Sequence, residues 1–182
     1  MGSEITDNMK GLFPEPPVLL GERLVLRPLG PGDAKALSRF TSQTEVYTYL
    51  PTFLYEKRYG AQKVIENLYD EGLDESLILG IFEKERFLGL GEIYGFRCPI
   101  HKASVGYRLL REEWGKGYAT ETLRLLTKEL SSRGIEIITA STMVENRASA
   151  RVLQKAGFVL VNSGVDEDWG FPAPTSADKW IL

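Results

Sequence analysis

The sequence predicts a mixed α/β domain: a central, mostly antiparallel sheet of six to seven strands with helices on both faces. Three observations carry that expectation. Residues 76–110 hold three β-rich runs at meander spacing, residues 118–163 alternate helix and strand, and a glycine turn, Trp114-Gly115-Lys116-Gly117, links the two halves. An antiparallel half joined to a βαβαβ half gives a mixed sheet covered on both sides.

Taken in order, Arg23-Leu24-Val25-Leu26-Arg27 alternates polar and apolar and ends at Pro28, which reads as the first strand. Asp33 stands at an N-cap position before Ala34, Ala36, Leu37 and Phe40, predicting a short helix. The aromatic stretch Tyr47 to Tyr55, interrupted by Pro51, reads as a loop or broken helix, and 56–71 as a further helix with Ala61, Val64, Ile65 and Leu68 on one face. Ser76–Phe82 and Phe87–Tyr94, separated by Glu83-Lys84-Glu85-Arg86, form an antiparallel pair, and Ala103–Leu110 joins them. Then come helix 118–132, strand 135–144, helix 146–156, strand 158–163 and a last strand near 177–182, with Gly134 and Gly157 as C-terminal caps.

With 182 residues, 43% hydrophobic and 26% charged, the chain fits one domain, residues 21–182, after a flexible or loosely docked lead-in of residues 1–20. A net charge of −3 with no Lys/Arg run longer than two argues against nucleic-acid and membrane partners and suits a cationic or amine substrate. The single cysteine, Cys98, makes no internal disulfide, and the single histidine, His101, cannot assemble a metal site, so no metal is expected. The first twenty residues lack a continuous apolar segment, and nowhere do about 18 apolar residues run together. A cytoplasmic protein is expected.

The chemistry concentrates at the glycine turn. The first turn of a helix carries N–H groups without partners and about half a positive charge, and Gly115 and Gly117 put no Cβ in the way of a phosphate-bearing ligand. A pyrophosphate is the expected guest. Gly115-x-Gly117 also loosely imitates a dinucleotide-binding turn, but Thr120 stands at its third glycine position.

The segments Glu22-Arg23-Leu24-x-Leu26-Arg27-Pro28-Leu29, Gly106-Tyr107, Trp114-Gly115-Lys116-Gly117-Tyr118-Ala119-Thr120-Glu121 and Asn146-x-x-Ser149-x-x-x-Leu153-x-Lys155-x-Gly157-Phe158 resemble the GNAT superfamily of acetyl-CoA N-acyltransferases. They are most similar to its branch of ribosomal-protein N-terminal acetyltransferases, the RimJ/RimL type. The resemblance implies an acetyl-CoA-dependent N-acetyltransferase that works by direct attack in a ternary complex. It implies cofactor contacts from Leu109, Leu110, Trp114, Gly115, Lys116, Gly117, Tyr118, Ala119, Thr120, Asn146 and Ser149. The strand before the turn should splay from the next and take the pantetheine arm along its edge. The amide of Leu109 or Leu110 would then polarise the thioester carbonyl, an effect of about 3–4 kcal/mol for a good donor.

Two positions depart from the family pattern. Glu112 stands where Gln or Arg is common, so Arg111 or Lys116 is expected to supply positive charge. Leu153 replaces a tyrosine near the sulfur, which leaves Ser149 as candidate general acid. Glu92, mid-strand in the apolar run Leu88 to Tyr94, is the candidate base for the amine, with a raised pKa expected from such surroundings. His101 is expected in a solvated loop, and Tyr47, Tyr49, Phe53 and Tyr55 offer an acceptor pocket. The acceptor is a protein N-terminal amine or a small amine, and the last strand, Asp178 to Leu182, offers an edge for a homodimer. The alternatives are a non-catalytic acetyl-CoA sensor or adaptor and a dinucleotide-binding protein.

Overall fold

In the computed structural model, which describes residues 8–182, the sheet contains β1 (Leu19–Leu20), β2 (Val25–Arg27), β3 (Ser76–Glu83), β4 (Arg86–Arg97), β5 (Lys102–Leu109), β6 (Ile137–Met143), β7 (Val159–Glu167) and β8 (Thr175–Ile181). Their order is β1-β2-β3-β4-β5-β6-β8-β7, and β5–β6 is the one parallel pair among the described residues. A doubly wound parallel dinucleotide fold is therefore not formed. The eighth strand, one more than expected, is the two-residue β1.

β3 shows why helices are needed on both sides. Its side chains alternate, with Leu77, Leu79 and Ile81 entering one core and Ile78 and Phe82 the other. The first core is closed by Ala119, Leu123, Leu126 and Leu130 of α4 (Tyr118–Ser132) and Leu153 of α5 (Arg147–Lys155). The second is closed by Leu37 and Phe40 of α2 (Ala34–Thr41) and Val64 and Ile65 of α3 (Ala61–Asn67). Gly134 and Gly157 take positive φ, +80° and +99°, just beyond α4 and α5 as expected of caps.

Several expectations are corrected. Residues 8–20 of the lead-in are docked: α1 (Met9–Leu12) buries Met9, Phe13 lies in the first core, and Leu19 pairs with Leu26. The Arg133 guanidinium donates to the Leu12 carbonyl oxygen and sits 4.3 Å over the Phe13 ring. The remainder of the lead-in, residues 1–7, lies outside the described residues. Helix 56–71 is broken at Gly60 into a 3₁₀ turn, Tyr55–Lys57, and α3. Asp33 does not cap α2 with its side chain; its carboxylate takes both Arg27 guanidinium nitrogens at 2.9 and 3.0 Å and the Gly30 amide at 2.8 Å. The last strand, β8, runs between β6 and β7, so both of its backbone edges are occupied and it offers no dimer edge. The outer strand is β7, with Val159, Leu160 and Val161 exposed.

Glu121 ties β2 to α4. Its Oε1 accepts the amides of Arg23 and Leu24 at 2.8 and 3.0 Å, and its Oε2 accepts Arg23 Nε at 3.0 Å. Burial alone would raise this carboxyl, but those amides and the guanidinium hold it below its usual range. A carboxylate lowered in the folded state contributes stability above its unfolded pKa and loses it as the pH falls through the folded value. Glu121→Ala should therefore cost about 1–3 kcal/mol in urea unfolding at pH 7 by leaving two amides unpaired, and the difference from the parent should shrink below about pH 4.

Candidate active site

β5 is bound on one edge and released on the other. It pairs with β6 only through Lys102–Ser104 against Ile137–Thr139; beyond, Val105–Leu109 and Ala140–Thr142 line opposite parts of a cleft of about 570 Å³. Against β4 the ladder continues to Gly89↔Leu109, a close approach in which a Cβ on Gly89 would lie 2.1 Å from the Arg108 carbonyl oxygen. The Leu110 amide donates to the Leu88 oxygen at 2.8 Å, so it is spent on β4 and cannot polarise a thioester, correcting one of the two expected oxyanion donors. Because successive amides of a strand face opposite edges, those of Tyr107 and Leu109 face the splay. The Leu109 carbonyl on the same side is occupied by the Trp114 indole N–H at 3.0 Å.

The turn that follows has the expected backbone. Gly115 and Gly117 sit at φ +76° and +83°, and a Cβ on Gly115 would meet nothing within 4 Å. Glu121 N to Gly117 O, at 3.2 Å, opens the helical ladder, which leaves the amides of Tyr118, Ala119 and Thr120 without helical partners. Trp114, Gly115, Gly117, Tyr118, Ala119 and Thr120 all line the cleft. Tyr118 contributes its amide there, while its hydroxyl donates to Glu83 at 2.9 Å.

The positive charge expected from Arg111 or Lys116 is committed elsewhere. Lys116 Nζ lies 3.0 Å from Glu113 Oε2, Lys116 is outside the cleft lining, and Arg111 stacks 4.5 Å over the Trp114 ring. Glu112 is harmless to an anionic ligand, since its carboxylate pairs with Arg39 and accepts from Gln43 Nε2 at 3.1 Å. Its own backbone amide, Gln43 and Arg39 hold it below the usual carboxylate range. The donors that the turn presents to the cleft are therefore backbone amides rather than side-chain cations.

Asn146 and Ser149 arrive from the start of α5, both in the cleft lining. Asn146 Oδ1 accepts the Ser149 amide at 3.1 Å, a side-chain cap that fixes the first turn. The Tyr107 hydroxyl donates to Ser149 Oγ at 3.2 Å. Leu153, buried, also lines this part of the cleft, so the aromatic hydroxyl absent at 153 is brought in by β5. Burial pushes the Tyr107 phenol up, against a smaller opposing effect of Ser149, so it stays protonated at neutral pH. The Gly106-Tyr107 pair flagged this residue in sequence, but only the fold brings it to Ser149.

Glu92 lines the cleft, yet the surroundings expected from its apolar run are not what it meets. Arg108 Nη1 donates to Glu92 Oε2 at 2.5 Å, while its Nε and Nη2 donate to Glu56 at 2.5 and 2.8 Å. Tyr47 adds a hydroxyl to Glu56 at 3.2 Å. Burial alone would lower Arg108, but the two carboxylates outweigh it and hold the guanidinium firmly charged. Neither Arg108 nor Glu56 was singled out in sequence. Of the expected acceptor aromatics, Tyr49 and Phe53 reach the cleft, whereas Tyr47 packs edge-on against Phe40 and Tyr55 is buried in the second core. His101 lies outside the lining, exposed in a left-handed turn with Nδ1 3.2 Å from the Gly134 oxygen.

Residues 23–159 match the family described as Acetyltransferase (GNAT) domain. The chain belongs to the GNAT acetyltransferase family. It is 31% identical over 149 residues to the "Uncharacterized N-acetyltransferase YoaA" of Bacillus subtilis (strain 168), covering 78% of this chain and 82% of that protein. It is 32% identical over 154 residues to the "Probable N-acetyltransferase YjcK" of the same organism, covering 78% and 83%. The solved structure of Mycobacterium smegmatis RimJ in complex with CoA-disulfide superposes with a TM-score of 0.79 at 22% identity, over 92% of this chain and 87% of that one. The GNAT expectation drawn from the four sequence segments is confirmed, and the protein is an N-acetyltransferase that acts on an amine.

The Arg108 triad sits beneath this GNAT cleft and should dominate local stability. Arg108→Met strands two buried carboxylates and should cost about 3–5 kcal/mol; adding Glu56→Gln and Glu92→Gln should recover much of that loss in guanidinium unfolding.

Proposed function

We propose that the protein transfers the acetyl group of acetyl-CoA to a primary amine by direct attack in a ternary complex, acting in the cytoplasm on a protein N-terminus or a small amine. One observation supports this most. Strand amides of Tyr107 and Leu109 released from β6, a turn of amides without helical partners and the Ser149–Tyr107 hydroxyl pair share a single cleft.

Acetyl-CoA supplies an acetyl group activated as a thioester, and the residues present suit it. Amides from Gly115 to Thr120 offer donors for the pyrophosphate, and no side chain at Gly115 or Gly117 obstructs it. The edge of β5 matches the amides of the pantetheine arm. The Leu109 amide faces the splay and would donate to the carbonyl oxygen as charge develops there. The amine nitrogen bonds to the acetyl carbon, the carbon–sulfur bond breaks, the amine loses one proton and the departing sulfur gains one. Glu92, in the cleft wall with one oxygen on Arg108, takes the amine's proton directly or through water. Ser149, receiving a hydrogen bond from Tyr107, gives the proton to sulfur.

Thermal unfolding with acetyl-CoA, NADH and ATP added separately tests the cofactor. At ~100 times its dissociation constant a ligand stabilises by ~2.7 kcal/mol, and only acetyl-CoA should raise the Tm. Gly117→Trp should abolish that shift. Ser149→Ala should keep it while lowering kcat about 100-fold in a thiol-release assay, and Glu92→Gln should lower turnover at neutral pH with acetyl-CoA affinity intact. A shift without thiol release from any amine would support the non-catalytic sensor, and a shift with NADH alone would overturn the cofactor.

A further inference from the structure

The part of the cleft away from the glycine turn is bordered by residues 45–54 and by the end of β7 with the loop that follows it. Residues 45–54 and 167–169 both contribute to the lining, and the Thr52 amide donates to the Trp169 carbonyl at 2.9 Å where they meet. Carboxylates dominate this end: Glu45, Glu75, Glu92, Glu167 and Asp168. The cations among the lining residues are Arg108, already bonded to Glu92 and Glu56, and Lys155, which ends α5 beside α4 on the side proposed for the cofactor.

The remaining compensation is partial. Arg58 holds Glu75 with two contacts of 2.7 Å, and Lys179 lies 2.5 Å from Glu167. Among the described residues Glu45 and Asp168 have no cationic partner, and Asp168 accepts the Gly170 amide at 2.8 Å. Counting Glu56 behind the wall, six carboxylates face three cations, and all three cations are engaged. A concave site with such an excess concentrates cations and repels anions. Apolar rings complete it: Tyr49 and Phe53 are 40% and 51% exposed in the first segment, with Trp169 buried opposite them in the second. Aromatic faces suit an ammonium or an apolar body and offer nothing to a carboxylate.

We infer that the acceptor is a cationic amine carried on an apolar or aromatic body with no carboxylate beside the reacting nitrogen, and that amino acids with a free α-carboxylate are excluded. The inference rests on the reading of this cleft as the acetyl-transfer site. An anionic group next to the amine would enter among Glu45, Glu92 and Asp168, where the described residues offer no free cation to receive it. An amide or a hydrogen in its place removes the repulsion.

Matched pairs test this on the full chain. Thiol release from acetyl-CoA is measured with tyramine against tyrosine, and with phenylalaninamide against phenylalanine. The same four compounds are titrated calorimetrically into the protein saturated with CoA, and the acetyl-CoA Tm shift is recorded in parallel. The expected result is a preference of tenfold or more in kcat/KM, and in binding, for the member lacking the carboxylate. Glu45→Lys/Asp168→Lys should narrow that preference while the acetyl-CoA shift persists. A preference below tenfold, or a reversed one, overturns the inference. So does the absence of turnover and binding with all four compounds when acetyl-CoA still raises the Tm, a result that leaves the cofactor reading standing. Loss of the acetyl-CoA shift itself would instead remove the cleft assignment and the inference together.

Discussion

The divergence of β5 from β6 is the constraint on which the remaining features depend. Three parallel register positions, Lys102–Ser104 with Ile137–Thr139, bind the two strands, and beyond them β6 stays paired with β8 alone. From Ser104 to Leu109 an unbroken ladder to β4, beyond the register shift between Tyr94 and Arg97, holds β5, and Gly89 permits the close contact at its far end. Backbone groups that a closed sheet would satisfy internally are thereby turned into donors and acceptors for a ligand. The released edge runs into Trp114 and the glycine turn, so strand edge and helix N-terminus form one continuous polar track.

Two polar arrangements keep that track open by occupying side chains that would otherwise compete for it. Arg39 and Gln43 draw Glu112 away, and Glu113 draws in Arg86 and Lys116, so backbone amides are the donors left at the turn. On the other side of β5, Arg108 is buried between Glu56 and Glu92. A lone guanidinium there would be costly, and two carboxylates more than neutralise it. The excess negative charge is carried to the cleft wall, where the proposed reaction calls for a proton acceptor and a cation-tolerant surface.

Much of this was legible from residue pattern. The antiparallel pairing of β3 with β4 and the helix at 118–132 were both readable, and the nearly unbroken apolar run of β3 fits its burial on both faces. Glycine at 115 and 117, between a strand and a helix, permitted the positive φ that both adopt. The docked segment at residues 8–20 was not legible, because Met9 and Phe13 have no periodic context and bury only against elements far along the chain. Nor was the insertion of β8 between β6 and β7, since antiparallel return of the last strand leaves no local signature.

The sequence by itself determined the alternation of elements, the glycine turn and the family, because these are short-range properties: side-chain period, missing Cβ atoms, cap residues and motif spacing. Tertiary structure alone decided which groups meet. It spent the Leu110 amide on Leu88, leaving Leu109 to face the splay, and it placed Tyr107 against Ser149 across 42 positions of chain. It also joined Glu56 to Arg108 across 52, converting an apolar-looking strand into the wall of a charged cleft. The physical reason is that hydrogen bonds and ion pairs act over about 3 Å, and the chain brings such distant groups within that range only after both cores have formed.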